Sequence, residues 1–152
     1  NMQNIIEPLV ISWGYDSDFP SESKFLDYHQ WQGTKDMSAY LTIPYTIKFL
    51  KENNWNKIRE KCYKINIWAR NEINNLLDKE NICDDKFLGQ MSSIYMDIEA
   101  NPKNNIEFYK KYNIQVPFIL WNNKSFFRIS IQVYNTKEDI YKLLYALKKH
   151  ML

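Results

Sequence analysis

The chain has 152 residues and a mass of 18.4 kDa; 45% of residues are hydrophobic, 16% aromatic and 25% charged, which supplies one packed domain and excludes a disordered tail. Seventeen lysines and three arginines stand against 18 acidic residues, a formal net charge of +2 with the signs interspersed, so there is no electrostatic footprint for nucleic acid. Mean hydropathy is −0.56 and no run approaches the roughly 18 apolar residues that a membrane span needs.

Cys62 and Cys83 make no disulfide framework and lie in no CxxC pair. Only His29 and His150 could join them as ligands, so no metal site is expected. The opening NMQNIIEPLVISWG lacks a basic region and a signal-peptide core, and a reducing, cytoplasmic setting is the expectation.

In chain order, Pro8 to Trp13 is a short apolar run ending at Gly14 and reads as a buried strand. Residues 14–35 show no helical period and read as a long loop, ordered by Phe19, Phe25, Tyr28 and Trp31. A helix follows Asp36, a candidate N-cap, with Ala39, Tyr40, Ile43, Ile47 and Leu50 on one face and a kink or restart at Pro44. The clearest helix starts after Asn54 and carries Trp55, Ile58, Cys62, Ile65, Ala69, Ile73 and Leu76 along one stripe, which makes Cys62 a small core residue. The spacing places Arg59 and Arg70 on its exposed side or edge.

Residues 81–90 are a polar loop, 91–98 (MSSIYMDI) a strand, and 105–112 a short helix after Pro102. Two apolar runs, 116–121 and 126–133, flank Asn122-Asn123-Lys124-Ser125 and form a hairpin signal. In the last helix Thr136 and Asp139 have capping-box spacing, Ile140, Leu143, Leu144 and Leu147 form the apolar face, and Lys148, Lys149 and His150 suit the C-terminal dipole. The order from residue 36 predicts an α+β fold, a small and mostly antiparallel sheet covered by helices, with the long helix across one face. The strand and loop before it look like the end of another domain, so a division into 1–35 and 36–152 is expected.

Two places could hold chemistry. Arg128 lies in the strand FFRISIQV, where alternation puts Phe127, Ile129, Ile131 and Val133 on one face and Phe126, Arg128, Ser130 and Gln132 on the other. Beside Phe126 its guanidinium is expected to be paired, either in a structural salt bridge or, because the planar fork grips a carboxylate at two points, with a substrate carboxylate. Gly33 and Thr34 precede a helix start, where backbone N–H groups and a hydroxyl form either a tight turn with an N-cap or a phosphate seat. No GxGxxG, GxxxxGK[ST], HExxH or GxSxG motif occurs.

The strings PLVISWG at 8–14, WQGTKD at 31–36, AYLTIPYTIKFLKENNW at 39–55, Val116-Pro117 and FFRISIQVYNTKEDIYKLLYAL at 126–147 resemble class V aminotransferases. These are fold-type I enzymes that use pyridoxal 5′-phosphate, and the isopenicillin N epimerase-like members are the most similar in pattern. The resemblance runs over nearly the whole chain. It implies that Gly33 and Thr34 reach the cofactor phosphate of the neighbouring subunit in a homodimer, and that Arg128 binds the α-carboxylate of an amino-acid-like substrate. It also implies that the family's Schiff-base lysine precedes residue 8, so no catalytic residue is expected within this chain and the chain reads as a C-terminal fragment, the end of the large domain plus the small domain. Residues 113–127 contain no cysteine, which argues against a persulfide route of desulfuration. Epimerase, aminotransferase and lyase chemistry share these parts. The rival expectation is a free-standing, non-catalytic α+β interaction module or an inactive relic.

Overall fold

The computed structural model describes residues 2–30 and 33–151. They fall into two compact units, Asn1–Phe49 and Leu50–Leu152.

In the first unit a 3-10 turn at Met2–Ile5 leads into an extended and turning segment, followed by α1 (Lys24–Gln30), α2 (Ser38–Leu41) and α3 (Ile43–Glu52), which runs on into the second unit. Residues 8–13 are not a strand, which corrects the expectation above. Leu9, Ile11 and Trp13 are exposed, and an apolar run makes a strand only where a neighbouring strand takes its hydrogen bonds. The expected long loop likewise contains α1, seven residues that are too short for a periodic signal. Tyr28 on α1 is the one buried residue among those described in 2–49. Its hydroxyl donates to Asp16 Oδ1 at 2.6 Å, its ring stacks on Tyr15 at 4.3 Å, and the Lys24 ammonium lies over the ring at 4.8 Å. A Cβ on Gly14 would sit 1.8 Å from the Asp27 carbonyl oxygen, so only glycine lets the preceding turn approach α1 this closely. Pro44 falls in the first turn of α3, where its missing N–H costs nothing.

The second unit is α+β. After α4 (Trp55–Leu77) come a 3-10 turn at Asp85–Phe87, β1 (Met91–Met96), α5 (Pro102–Tyr112), β2 (Phe118–Trp121), β3 (Lys124–Ser130) and α6 (Lys137–Met151). The sheet order is β1-β3-β2, antiparallel throughout, with Ser93 opposite Arg128, Tyr95 opposite Phe126 and Phe118 opposite Phe127. Ile131 N donates to the Gln90 carbonyl at 2.7 Å, and Gln90 Nε2 donates back to the Ile131 carbonyl at 2.7 Å, which extends the β1–β3 pairing past the strand ends. Helix α4 packs on β1 and α6, and α5 packs on β2. The core joins Ala69 and Ile73 of α4 to Ile94, Phe108, Phe127, Ile129, Leu143 and Leu147.

The helix ends follow from side-chain chemistry. Asn101 accepts from Asn104 N at 2.9 Å and Pro102 opens α5, so this helix begins at Pro102, ahead of the start expected at residue 105. Asp139 Oδ2 accepts from Thr136 N at 2.9 Å, one half of the capping box on α6. Asn54 stands at the start of α4 but in a left-handed conformation, and its carbonyl, not its side chain, receives the Lys57 N–H at 3.0 Å. Asp78 and Asn113 close α4 and α5 with positive φ, and the β2–β3 turn is the pair Asn122-Asn123 at φ 48° and 57°, both central residues of a two-residue hairpin.

The stripe that α4 buries is wider than the expected one, with Ile58, Ile65 and Leu76 packed at its side. It is Cys62, Asn66, Ala69, Arg70, Ile73, Asn74 and Leu77, and its edge is polar. Arg70, expected near solvent, is 2% exposed. It donates to Asp85 Oδ1, to the Cys83 carbonyl at 3.2 Å and to Asn71 Oδ1 at 3.1 Å. One turn earlier Asn66 donates to the Gly89 carbonyl at 3.1 Å and accepts from Ser92 Oγ at 3.0 Å; one turn later Asn74 Nδ2 donates to Asn81 Oδ1 at 2.7 Å. The charge in this seam is satisfied by an aspartate that is itself half exposed.

Two predictions follow from these contacts. Asp85→Ala leaves a dry guanidinium short of its counter-charge and lowers stability by about 2–3 kcal/mol, whereas Arg70→Met removes the charge itself and costs only about 1 kcal/mol; urea unfolding with an unchanged slope measures both. The second concerns His150, whose ring meets Phe108 edge-on at 5.2 Å near Phe118 and Tyr112. Burial, and then the Lys111 ammonium, hold its pKa below the ordinary 6.5 despite the pull of Glu107 and its place in the last turn of α6. The unfolded chain therefore takes up a proton that the folded chain refuses. The stabilising contribution is complete above about pH 6.5 and is lost as pH falls below it toward the folded pKa. Urea midpoints measured across this range decline toward acid in the wild type, and His150→Phe flattens that part of the curve.

Candidate functional site

Arg128 sits in the middle of β3, between Phe127 and Ile129, whose side chains are buried. Its backbone N–H donates to the Pro117 carbonyl at 3.1 Å, which fixes the residue beside the segment entering β2. The alternation places the guanidinium away from the core face. It is exposed and makes no hydrogen bond or ion pair among the described residues. Of the two alternatives for its pairing, a salt bridge to a local acid is absent among the described residues: Ser93 is the residue opposite on β1, and a hydrated guanidinium carries no desolvation cost that demands a partner.

The side chain lines a groove of about 830 Å³ between α5 and the β2–β3 hairpin, shared with Asn105, Ile106, Tyr109, Lys110, Gln115, Val116 and Pro117. That volume is within the usual range for a small-molecule site, about 300–1,000 Å³. One wall is rigid for a stated reason. Asn105 Oδ1 accepts from Phe118 N at 2.6 Å and its Nδ2 reaches the Phe118 carbonyl at 3.5 Å, so the α5 side chain pairs with the backbone at the start of β2. Cations, neutral polar groups and apolar side chains line the groove, and among the described residues no acid does.

The other two expected site residues, Gly33 and Thr34, lie in the first unit. Gly33 has φ +112°, a conformation that L side chains rarely adopt, and beyond its chain neighbours no heavy atom of the described residues lies within 4 Å of the position a Cβ would take. Thr34 is exposed beside it. Trp31 and Gln32, which precede them in the WQGT string, lie outside the described residues. The neighbouring helix start is already occupied: Asp36 Oδ1 accepts from Ser38 N and Oδ2 from Ser38 Oγ, both at 2.8 Å, and these bonds hold the Asp36 pKa below the usual carboxylate value. The Ser38 N–H at the start of α2 is thus already bonded to the Asp36 carboxylate, which precedes the helix.

Among the described residues no group of three or more His, Cys, Asp or Glu is placed to hold a metal ion. Cys62 is buried in the core, and Cys83 lends its carbonyl to Arg70. No described helix is long and apolar enough to cross a membrane. The residue that sequence reasoning misplaced is Arg70, a structural one, and the missed signal is the spacing Asn66, Arg70, Asn74, a polar row one turn apart on a helix.

Arg128→Gln changes folding stability by less than about 0.5 kcal/mol, as expected for an exposed side chain without partners. A urea titration showing a loss of 2 kcal/mol or more would return Arg128 to a structural role.

No family model matches the chain. Over 157 aligned positions, covering 95% of this chain, it is 22% identical to the isopenicillin N epimerase of Amycolatopsis lactamdurans. The alignment takes in 39% of that protein, so the chain spans about two fifths of the relative it matches. The similarity is distant and partial, and it points to the group of proteins that the sequence motifs resemble.

Proposed function

We propose that this chain is the C-terminal part of a pyridoxal-phosphate-dependent enzyme acting on an amino acid or an amino-acid-derived substrate, with Arg128 as the receptor for the substrate carboxylate. The observation that carries the reading is the unpaired guanidinium of Arg128 at a groove whose lining contains no acid. Its motif position agrees with the family resemblance, and the likeness to isopenicillin N epimerase extends over nearly the whole chain. In this reading residues 1–35 are the end of the cofactor domain and residues 36–152 the small domain of a class V aminotransferase-like fold, and the complete protein is a homodimer. The exposed Leu9, Ile11, Trp13, Phe19 and Tyr45 of the first unit favour a place within a larger body over a free-standing module.

The residues present fit one part of the cofactor. Gly33 leaves open space for an approaching phosphate, and the Thr34 hydroxyl and the backbone N–H groups supply donors. None of them is matched to the lysine that anchors the cofactor, so this chain by itself performs no turnover. When bound, pyridoxal phosphate supplies an electron sink for the substrate Cα. Arg128 contributes orientation: two parallel N–H···O bonds pin the carboxylate in place, which fixes the rotation about the Cα–N bond and so decides which Cα bond is presented for cleavage. The groove also bears on the reaction at the substrate amine, because a lining without carboxylates offers the amino group no competing ion pair.

The test is a nuclear magnetic resonance titration of the chain with an amino acid, following the arginine Nε–H signals. The expected result is a saturable shift of the Arg128 signal while those of Arg59 and Arg70 stay in place. Arg128→Lys keeps the charge, loses the fork, and weakens binding by about tenfold or more. Shifts spread over surface lysines, with Arg128 unmoved, would overturn the assignment.

A further inference from the structure

Arg128 shares its groove with a second cation. Lys110 in the last turn of α5 lines the same cleft, and its ammonium makes no ion pair among the described residues. This is not for want of acids on the helix, since Lys103 pairs with Glu107 at 3.8 Å. Nor is Lys110 needed to complement the helix dipole. Lys111 occupies the same turn, and its ammonium lies over the Tyr112 ring at 5.2 Å. Apolar side chains also face the cleft, from Ile106, Val116 and Pro117. The groove thus offers two positive groups, a strip of apolar surface, and no acid.

We propose that the groove selects an amino acid whose side chain ends in a second carboxylate. Its α-carboxylate sits on the Arg128 fork, its methylene chain lies over Ile106, Val116 and Pro117, and its distal carboxylate pairs with Lys110. The proposal rests on the reading of Arg128 given above and adds the substrate class. An apolar chain joining two charges matches the lining in both character and sign, whereas a neutral or basic side chain would leave Lys110 without a partner or set a like charge against it.

The test uses the 152-residue chain and two series of probes, straight-chain dicarboxylates from succinate to suberate and the monocarboxylates of the same lengths. In the wild type one dicarboxylate length binds about three- to fivefold more tightly than its monocarboxylate, the scale of an exposed ion pair. Lys110→Gln erases that preference and leaves monocarboxylate affinity unchanged, while Lys111→Gln keeps it. No preference in the wild type, a preference that survives Lys110→Gln, or one that Lys111→Gln removes equally would overturn the role of Lys110. The outcome that overturns the reading of Arg128 itself is separate: Arg128→Gln would then bind monocarboxylates as the wild type does.

Discussion

The second unit depends on a row of three side chains on α4. Asn66, Arg70 and Asn74 recur at one-turn intervals and bond in turn to Gly89 and Ser92, to Cys83 and Asp85, and to Asn81. The helix works as a ruler along which the chain returns in the opposite direction. Each bond satisfies a polar group in a nearly dry place, so a slip of the returning segment would break the whole row at once. The register this imposes on residues 81–92 passes to β1, and the ladder passes it to β3, where Ser93 faces Arg128. The position of the candidate site thus follows from a polar seam on the far side of the sheet, and the apolar core alone does not set it.

How much of this was legible in the sequence depended on length and period. Helices α4 and α6 and the β2–β3 hairpin were readable because their apolar residues repeat over several turns or form two runs on either side of a polar turn at Asn122-Asn123. The Pro8–Trp13 run was misread because a buried strand and an exposed extended segment have the same composition. Only a pairing partner separates them, and a sequence window does not contain it. Arg70 was placed on the exposed side or edge because the stripe was drawn through the apolar residues alone. The period of α4 was right, but its buried stripe is wider than its apolar residues and includes the polar row.

Of the candidate site, strand alternation was enough to turn Arg128 off the core face. The groove itself was not legible. It depends on Asn105 holding the start of β2 to α5, a contact between residues that no local pattern connects. For the same reason Lys110 stood out only once the fold placed it beside the segment leading into β2; in the sequence it is one of two adjacent lysines at a helix end.

Among the described residues, every non-glycine position with positive φ is filled by asparagine or aspartate: Asp16, Asn54, Asp78, Asn113, Asn122 and Asn123. Glycine would adopt these conformations without a steric penalty, and the chain contains only three glycines. The left-handed caps and turn therefore exist because the surrounding elements compel them, at a small conformational cost at each site. This protein holds an unspent reserve: its helix termini and hairpin could be relaxed one backbone position at a time without touching the core or the groove. The same choice has a conformational advantage in the unfolded chain, where asparagine and aspartate sample fewer states than glycine would, so part of what is lost to strain in the folded state returns as a smaller entropy of folding.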